Sequence, residues 1–267
     1  MDNFIKYYTD ARKLCIKFNE TMSKITLDSE QNFPEIYVLS SINLVGHNCN
    51  SITVLLRENE YGSVIMICRN LMEMFFNLHW AIEPIDTISD KTILVEAIKD
   101  RFFRLQGTPF YLFEKALDSM ERKRYALSSW NFNDIMKTRE LIENEKKKYP
   151  FLLTKDEEGK LIFKKAPPFA ERMGHLKIEH YHSYTFSSIF THPTPIISSI
   201  YHLGWLNSSP QSINMLKKII SSGIFYVHAI LGYGNIAFEN FEFKEIRQDC
   251  FNALQRIYQK SQNDSKI

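Results

Sequence analysis

Apolar side chains recur at helical spacing along most of the chain. In the stretch from Phe4 to Ile25, the positions Ile5, Tyr8, Ala11, Leu14, Cys15 and Phe18 fall on one face of a 3.6-residue period, which predicts an amphipathic helix. A second helix is expected from about Pro34 to Glu58, with Pro34 in the first turn, where its missing N–H costs nothing. A third runs from about Tyr61 to Ile82 and stops at Pro84. Helical patterns continue over Ser89–Leu105, Pro109–Ala126 and Asn133–Tyr149, with a break expected at Gly107-Thr108-Pro109. Phe151–Phe163 departs from this period. Two short apolar runs flank Asp156-Glu157-Glu158-Gly159, the pattern of a small exposed β-hairpin. A short helix follows Pro167-Pro168 through Met173. Later helices are expected over His175–Phe190, Pro195–Leu206, Pro210–Phe238 and Phe243–Lys260, with a frayed tail from Ser261 to Ile267.

The whole reads as one all-α domain over 1–267, a helical bundle with a small charged hairpin-like insertion near 150–165. Its parts are an N-terminal helix (1–33), a first helical half (34–149), the insertion (150–166), a second helical half (167–260) and the tail (261–267).

Charge is distributed unevenly. The chain of 267 residues balances 33 basic against 31 acidic residues, a formal net charge of +2. That excludes a binder of polyanions working through bulk charge, but not a local basic site. Arg139–Lys165 carries 14 charges in 27 residues, whereas His180–Phe238 carries only Lys217 and Lys218 in 59. A membrane span would explain the second stretch. Ser221, Ser222, Gly223, His228, Gly232, Gly234 and Asn235 interrupt it, and buried core helices of a soluble protein fit better. No signal peptide is apparent. Cys15, Cys49, Cys68 and Cys250 have no metal-type spacing and read as reduced, buried thiols in a cytoplasmic protein.

Candidate chemistry gathers at two places. Between Val64 and Ala81 the only formal charges are Arg69 and Glu73, four residues apart and so on one face of an otherwise apolar helix. Buried charges must be paired, and two readings stand: a structural ion pair, or a polar pocket in which Arg69 binds an anion such as a phosphate and Glu73 orients it. On the preceding helix, Asn43, His47, Asn50 and Ser51 form a polar, uncharged stripe that either meets solvent or faces this pair. Further on, Tyr184, Ser188 and His192 are spaced by four, with His192 at a helix end before Pro193. The helix dipole favours an imidazolium there, suited to general-acid work or anion binding, or to simple capping. His175, His180, His182 and Glu179 crowd nearby, but their spacing does not converge three ligands on a metal, so neither metal nor cofactor is expected. No phosphate loop, dinucleotide motif or catalytic-triad signature occurs.

The run Arg69-Asn70-Leu71-Met72-Glu73 resembles the Arg-x-Leu-x-Glu signature of the bacterial family catalogued as domain of unknown function 5677. Tyr184-x3-Ser188-x3-His192-Pro193-Thr194 resembles that family's second block, and Arg172 falls where similar sequences often have a basic residue. The likeness spans about Pro34 to Leu206 and implies an all-helical fold without an assigned activity. A more distant likeness is to HEPN-type helical proteins, some of which are metal-independent ribonucleases of toxin and phage-defence systems. Their Arg-x(4–6)-His signature is missing: nine residues separate Arg69 from His79 and two separate Arg172 from His175. A HEPN-like site would therefore have to bring His192 to Arg69 through the fold. The expectation is a catalytic set of Arg69, Glu73 and His192, with Arg172, Tyr184, Ser188, His47 and Asn43 binding substrate, the substrate being RNA or a nucleotide. The alternative is a non-catalytic helical module that binds a protein partner or small ligand. A homodimer through the charge-poor C-terminal helices is a further expectation.

Overall fold

Apolar residues at alternating steps of four and three set the first two helices. The computed structural model describes residues 1–28, 31–123, 132–174 and 210–265. Helix α1 (Asp2–Met22) buries Phe4, Tyr8, Ala11, Cys15, Phe18 and Met22. Helix α2 (Phe33–Arg57) buries Val38, Ile42, Val45, Cys49, Ile52 and Leu56 with the same rhythm. Each is one continuous stripe, and the two helices pack along their lengths. Gly46 of α2 faces Cys15 of α1, where a Cβ would stand 3.5 Å from the Cβ of Cys15, an ordinary contact distance. Helix α3 (Tyr61–Ile82) is buried on several sides, at Val64, Ile65, Cys68, Leu71, Met72, Phe75, Phe76 and Leu78, as a central helix should be.

The fold is all-α, as expected, with one β-hairpin among the described residues. Helix α4 spans Lys91–Lys123 and α5 spans Phe132–Lys148. Strands β1 (Leu153–Lys155) and β2 (Leu161–Phe163) pair antiparallel, with Leu153 opposite Phe163. The Asp156 carboxylate accepts the N–H groups of Glu158 and Lys160, and Gly159 takes positive φ, which closes the turn. The short α6 (Phe169–Arg172) follows. Helices α7 (Pro210–Ala237) and α8 (Lys244–Asp264) form the C-terminal pair.

Two expectations are corrected. Gly107-Thr108-Pro109 does not break the chain: α4 runs through it as one helix with Pro109 inside. Packing explains this. The Lys164 backbone lies where a Gly107 Cβ would stand, and the Thr108 hydroxyl accepts the Ala166 N–H at 2.8 Å while donating to Arg104 O at 2.7 Å. These contacts offset the hydrogen bond that proline removes. The tail, expected to fray from Ser261, is helical to Asp264. Ser261 is fully buried, its hydroxyl 2.9 Å from that of Ser221, and Asp264 accepts hydrogen bonds from Asn3 and Tyr7.

The chain gathers into two compact units. Unit 1 contains Met1–Trp80 and Phe169–Ile267; here α1 packs on α2, α7 and α8, and α7 on α2 and α8. Unit 2, Ala81–Pro168, packs α4 against α5 and the hairpin around Phe102, Leu105, Leu117, Ile142, Leu152 and Phe163. By length and composition, one helix among the described residues, within α7, could cross a membrane. Ile220, Ile224, Val227, Ile230 and Leu231 on it are fully buried in unit 1. All four cysteines are free and buried in unit 1. Burial pushes the thiols of Cys15 and Cys68 up to about 12, so they stay protonated and unreactive at neutral pH.

Candidate functional site

Helix α3 carries a polar seam at intervals of four: Arg69, Glu73 and Asn77. Arg69 Nε donates to Glu73 Oε1 at 2.8 Å. The pair is not evenly buried, as the sequence suggested. The Arg69 side chain is 11% exposed and that of Glu73 38%, so the guanidinium is inside while the carboxylate reaches the surface.

Arg172, at the end of α6, joins this seam. Its Nη1 donates to Asn77 Oδ1, and its guanidinium lies over the Phe169 ring, 5.5 Å from the centroid. Phe169 meets Phe76 of α3 edge-on at 5.9 Å. One short helix is thus anchored to α3 by an aromatic contact and a hydrogen bond. Burial disfavours the Arg172 cation, while Tyr37 of α2 and Glu73 favour it electrostatically. Among the described residues, Arg172 Nε is buried without a hydrogen-bond partner. Burial raises the pKa of the Tyr37 phenol, and Arg172 pulls it back down. The cluster combines the Arg69 and Arg172 guanidiniums with the Glu73 carboxylate and the Tyr37 phenol. Its excess positive charge can meet an anionic oxygen group, and its donors are fixed in place by packing.

Of the residues named from sequence, Arg69, Glu73 and Arg172 come together. Asn43 and His47 are exposed on α2, with Ser51 exposed as well, donating to His47 O at 3.2 Å. The α2 residue that acts on the cluster is Tyr37, nearly two turns before Asn43. Tyr184, Ser188 and His192 lie outside the described residues, as do His175, Glu179, His180 and His182. Two members were missed. Asn77 was legible, being four residues past Glu73 on the same face. Tyr37 had no local signal, because only helix packing brings it to Arg172.

A second polar contact lies elsewhere on α3. His79 Nδ1 is 3.1 Å from the Tyr233 hydroxyl of α7, and Phe75 stacks against both rings at 5.9 and 6.0 Å. His79 is two residues from Asn77, about 200° around the helix, so it belongs to the packed side rather than the seam. Among the described residues no group of three or more His, Cys, Asp or Glu side chains could hold a metal ion.

Comparison with protein-family models, curated proteins and solved structures finds no match to this chain.

Proposed function

We propose that the α3 cluster binds the phosphate of RNA or a nucleotide, and that the protein is a HEPN-like, metal-independent ribonuclease or nucleotide-acting effector of a bacterial toxin or phage-defence system. The observation that carries this reading is Arg172: a half-buried guanidinium whose Nε is buried and unpartnered, held by Phe169 and Asn77 on the α3 face that carries the Arg69–Glu73 pair. A structural ion pair alone would not call for a second cation beside it. In this reading Arg69 and Arg172 hold the phosphate and stabilise charge developing on it, and Glu73 orients Arg69. His192 carries protons, supported by Tyr184 and Ser188. The burial of α7's apolar residues within unit 1 suits a soluble, cytoplasmic protein.

The test is incubation of the purified protein with tRNA, mRNA and nucleotides in the presence of a chelator. The parent is expected to cleave at least one of them. Arg69→Ala and Arg172→Ala should each lose about 10²–10³-fold in rate, and His192→Ala about 10²–10⁴-fold, with the helical circular-dichroism signal retained. Inactivity of the parent on every substrate would sink the catalytic reading, and unfolding of both arginine variants would make the cluster structural.

A second reading, a non-catalytic module that binds a protein partner, draws on unit 2. There Ile93, Leu112 and Leu141 are 59%, 61% and 64% exposed. Replacing all three with Ser should leave RNA cleavage intact if the first reading holds.

A further inference from the structure

The corner between α7 and α8 holds a recess of about 230 Å³ lined by Asn235, Ile236, Glu239, Lys244, Arg247 and Gln248. Arg247 is 2% exposed. Its Nη1 donates to the carbonyls of Phe241 and Glu242, at 3.3 and 2.9 Å, and its Nε is buried without a partner. Among the described residues no carboxylate forms an ion pair with it; Glu239 stands exposed at the rim. A guanidinium keeps its proton in any protein, so this is a buried positive charge neutralised only by carbonyl dipoles. Such a charge is costly unless an anion offsets it.

Three further features of the corner point the same way. The 21-residue helix α8 begins here, and its N-cap, Phe243, offers no side chain to the free N–H groups of the first turn. A helix N-terminus with unspent donors favours negative charge. Lys244 adds a second cation at the same recess. Asn235 contributes the opposite need, because its Oδ1 is a buried acceptor without a donor.

We infer that this corner is a binding site for hydrogen phosphate. The anion supplies the counter-charge that Arg247 lacks, accepts from Lys244 and the first turn of α8, and donates its own O–H to Asn235 Oδ1. At neutral pH phosphate always carries such a proton. Sulfate, of the same shape, carries none. The site thus discriminates between two near-isosteric anions through one amide oxygen. This assignment stands apart from the α3 cluster and uses none of its residues.

Calorimetric titration of the full chain with sodium phosphate and with sodium sulfate, at pH 7 and matched ionic strength, tests it. Comparing the parent with Asn235→Ala and Lys244→Ala isolates the corner, since all three share the α3 cluster unchanged. Neither substitution touches the Arg247 contacts that hold the α7–α8 turn. The parent is expected to bind phosphate about tenfold more tightly than sulfate, as one hydrogen bond to an ion allows. Asn235→Ala should bring the two anions to equal affinity, and Lys244→Ala should weaken both. Equal affinities in the parent, no saturable phosphate binding, or phosphate affinity unchanged in both variants would overturn the assignment.

Discussion

At the scale of single residues, His228 of α7 makes stability depend on pH. Its ring stacks on Phe251 at 4.4 Å and on Tyr258 at 6.1 Å, both from α8. Its Nε2 is buried with no hydrogen-bond partner among the described residues. Burial pushes its pKa below the ordinary 6.5, because an imidazolium between two rings would lose its water. The unfolded chain therefore takes up this proton at a higher pH than the folded one. Stability from this group is fully present above 6.5 and falls as pH drops from there through the folded value. His228→Phe keeps the stacked aromatic and removes the titration. Urea unfolding of parent and variant at pH 8 and pH 5 should show the parent losing more stability on acidification than the variant. An equal loss in both would place the pH sensitivity elsewhere. The same residue scale explains what sequence could disclose of the α3 cluster. Arg69 and Glu73 were conspicuous as the only charges in an apolar helix, and Arg172 through its motif. Tyr37 was one aromatic among many, and its role depends on a contact between helices that no local pattern encodes.

At the scale of elements, unit 2 is tied by a buried ion pair between α4 and α5. Lys146 Nζ donates to Glu114 Oε1 at 2.8 Å, and the two side chains are 8% and 7% exposed. Glu143 accepts a second bond at 3.0 Å, and the Phe163 ring of β2 lies 5.8 Å from the ammonium. Lys146→Met leaves the Glu114 carboxylate buried without its cation and should cost about 3–5 kcal/mol. Replacing both partners, Lys146→Met with Glu114→Leu, removes the stranded charge and should recover most of that loss. Urea midpoints for the three proteins check this, and a double variant as weak as the single one would refute it. The sequence placed these two residues on separate helices, with only Lys146 in the charge-dense stretch, and held no hint that they are buried together. Element type proved easier to read than element continuity. Helices α1, α2, α3, α7 and α8 and the hairpin followed from periodicity and turn chemistry. The unbroken α4 did not, because the contacts of Gly107 and Thr108 with residues 164 and 166 outweigh the local preference of proline to end a helix. The ordered end of α8 was hidden for the same reason: a polar tail looks free until Ser221 of α7 is seen to pair with Ser261.

At the scale of the molecule, the uneven charge maps onto two cores with different contents. The charge-dense stretch Arg139–Lys165 lies in unit 2, and the described part of the charge-poor stretch, from Pro210 to Phe238, lies in unit 1. Unit 1 is closed from two distant parts of the sequence, Met1–Trp80 and Phe169–Ile267, while unit 2 is one continuous segment. Within unit 1 the junction of α1, α3 and α7 depends on Gly223. A methyl there would collide with the Tyr8 hydroxyl, which donates to Ile220 O at 2.7 Å, and would stand 2.9 Å from Cys68 Sγ. Alanine improves helix propensity by about 1 kcal/mol, but crowding in a filled core costs about 1–3 kcal/mol and the Tyr8 hydrogen bond is lost as well. Gly223→Ala should therefore be net destabilising. Because each unit has its own core, the damage should be local. Native-state hydrogen exchange should quicken in α1, α3 and α7 of Gly223→Ala and leave α4, α5 and the hairpin near parent rates. Lys146→Met should do the reverse. If either variant accelerates exchange equally in both sets of elements, the chain unfolds as one cooperative body and the two cores do not act as separate units of stability.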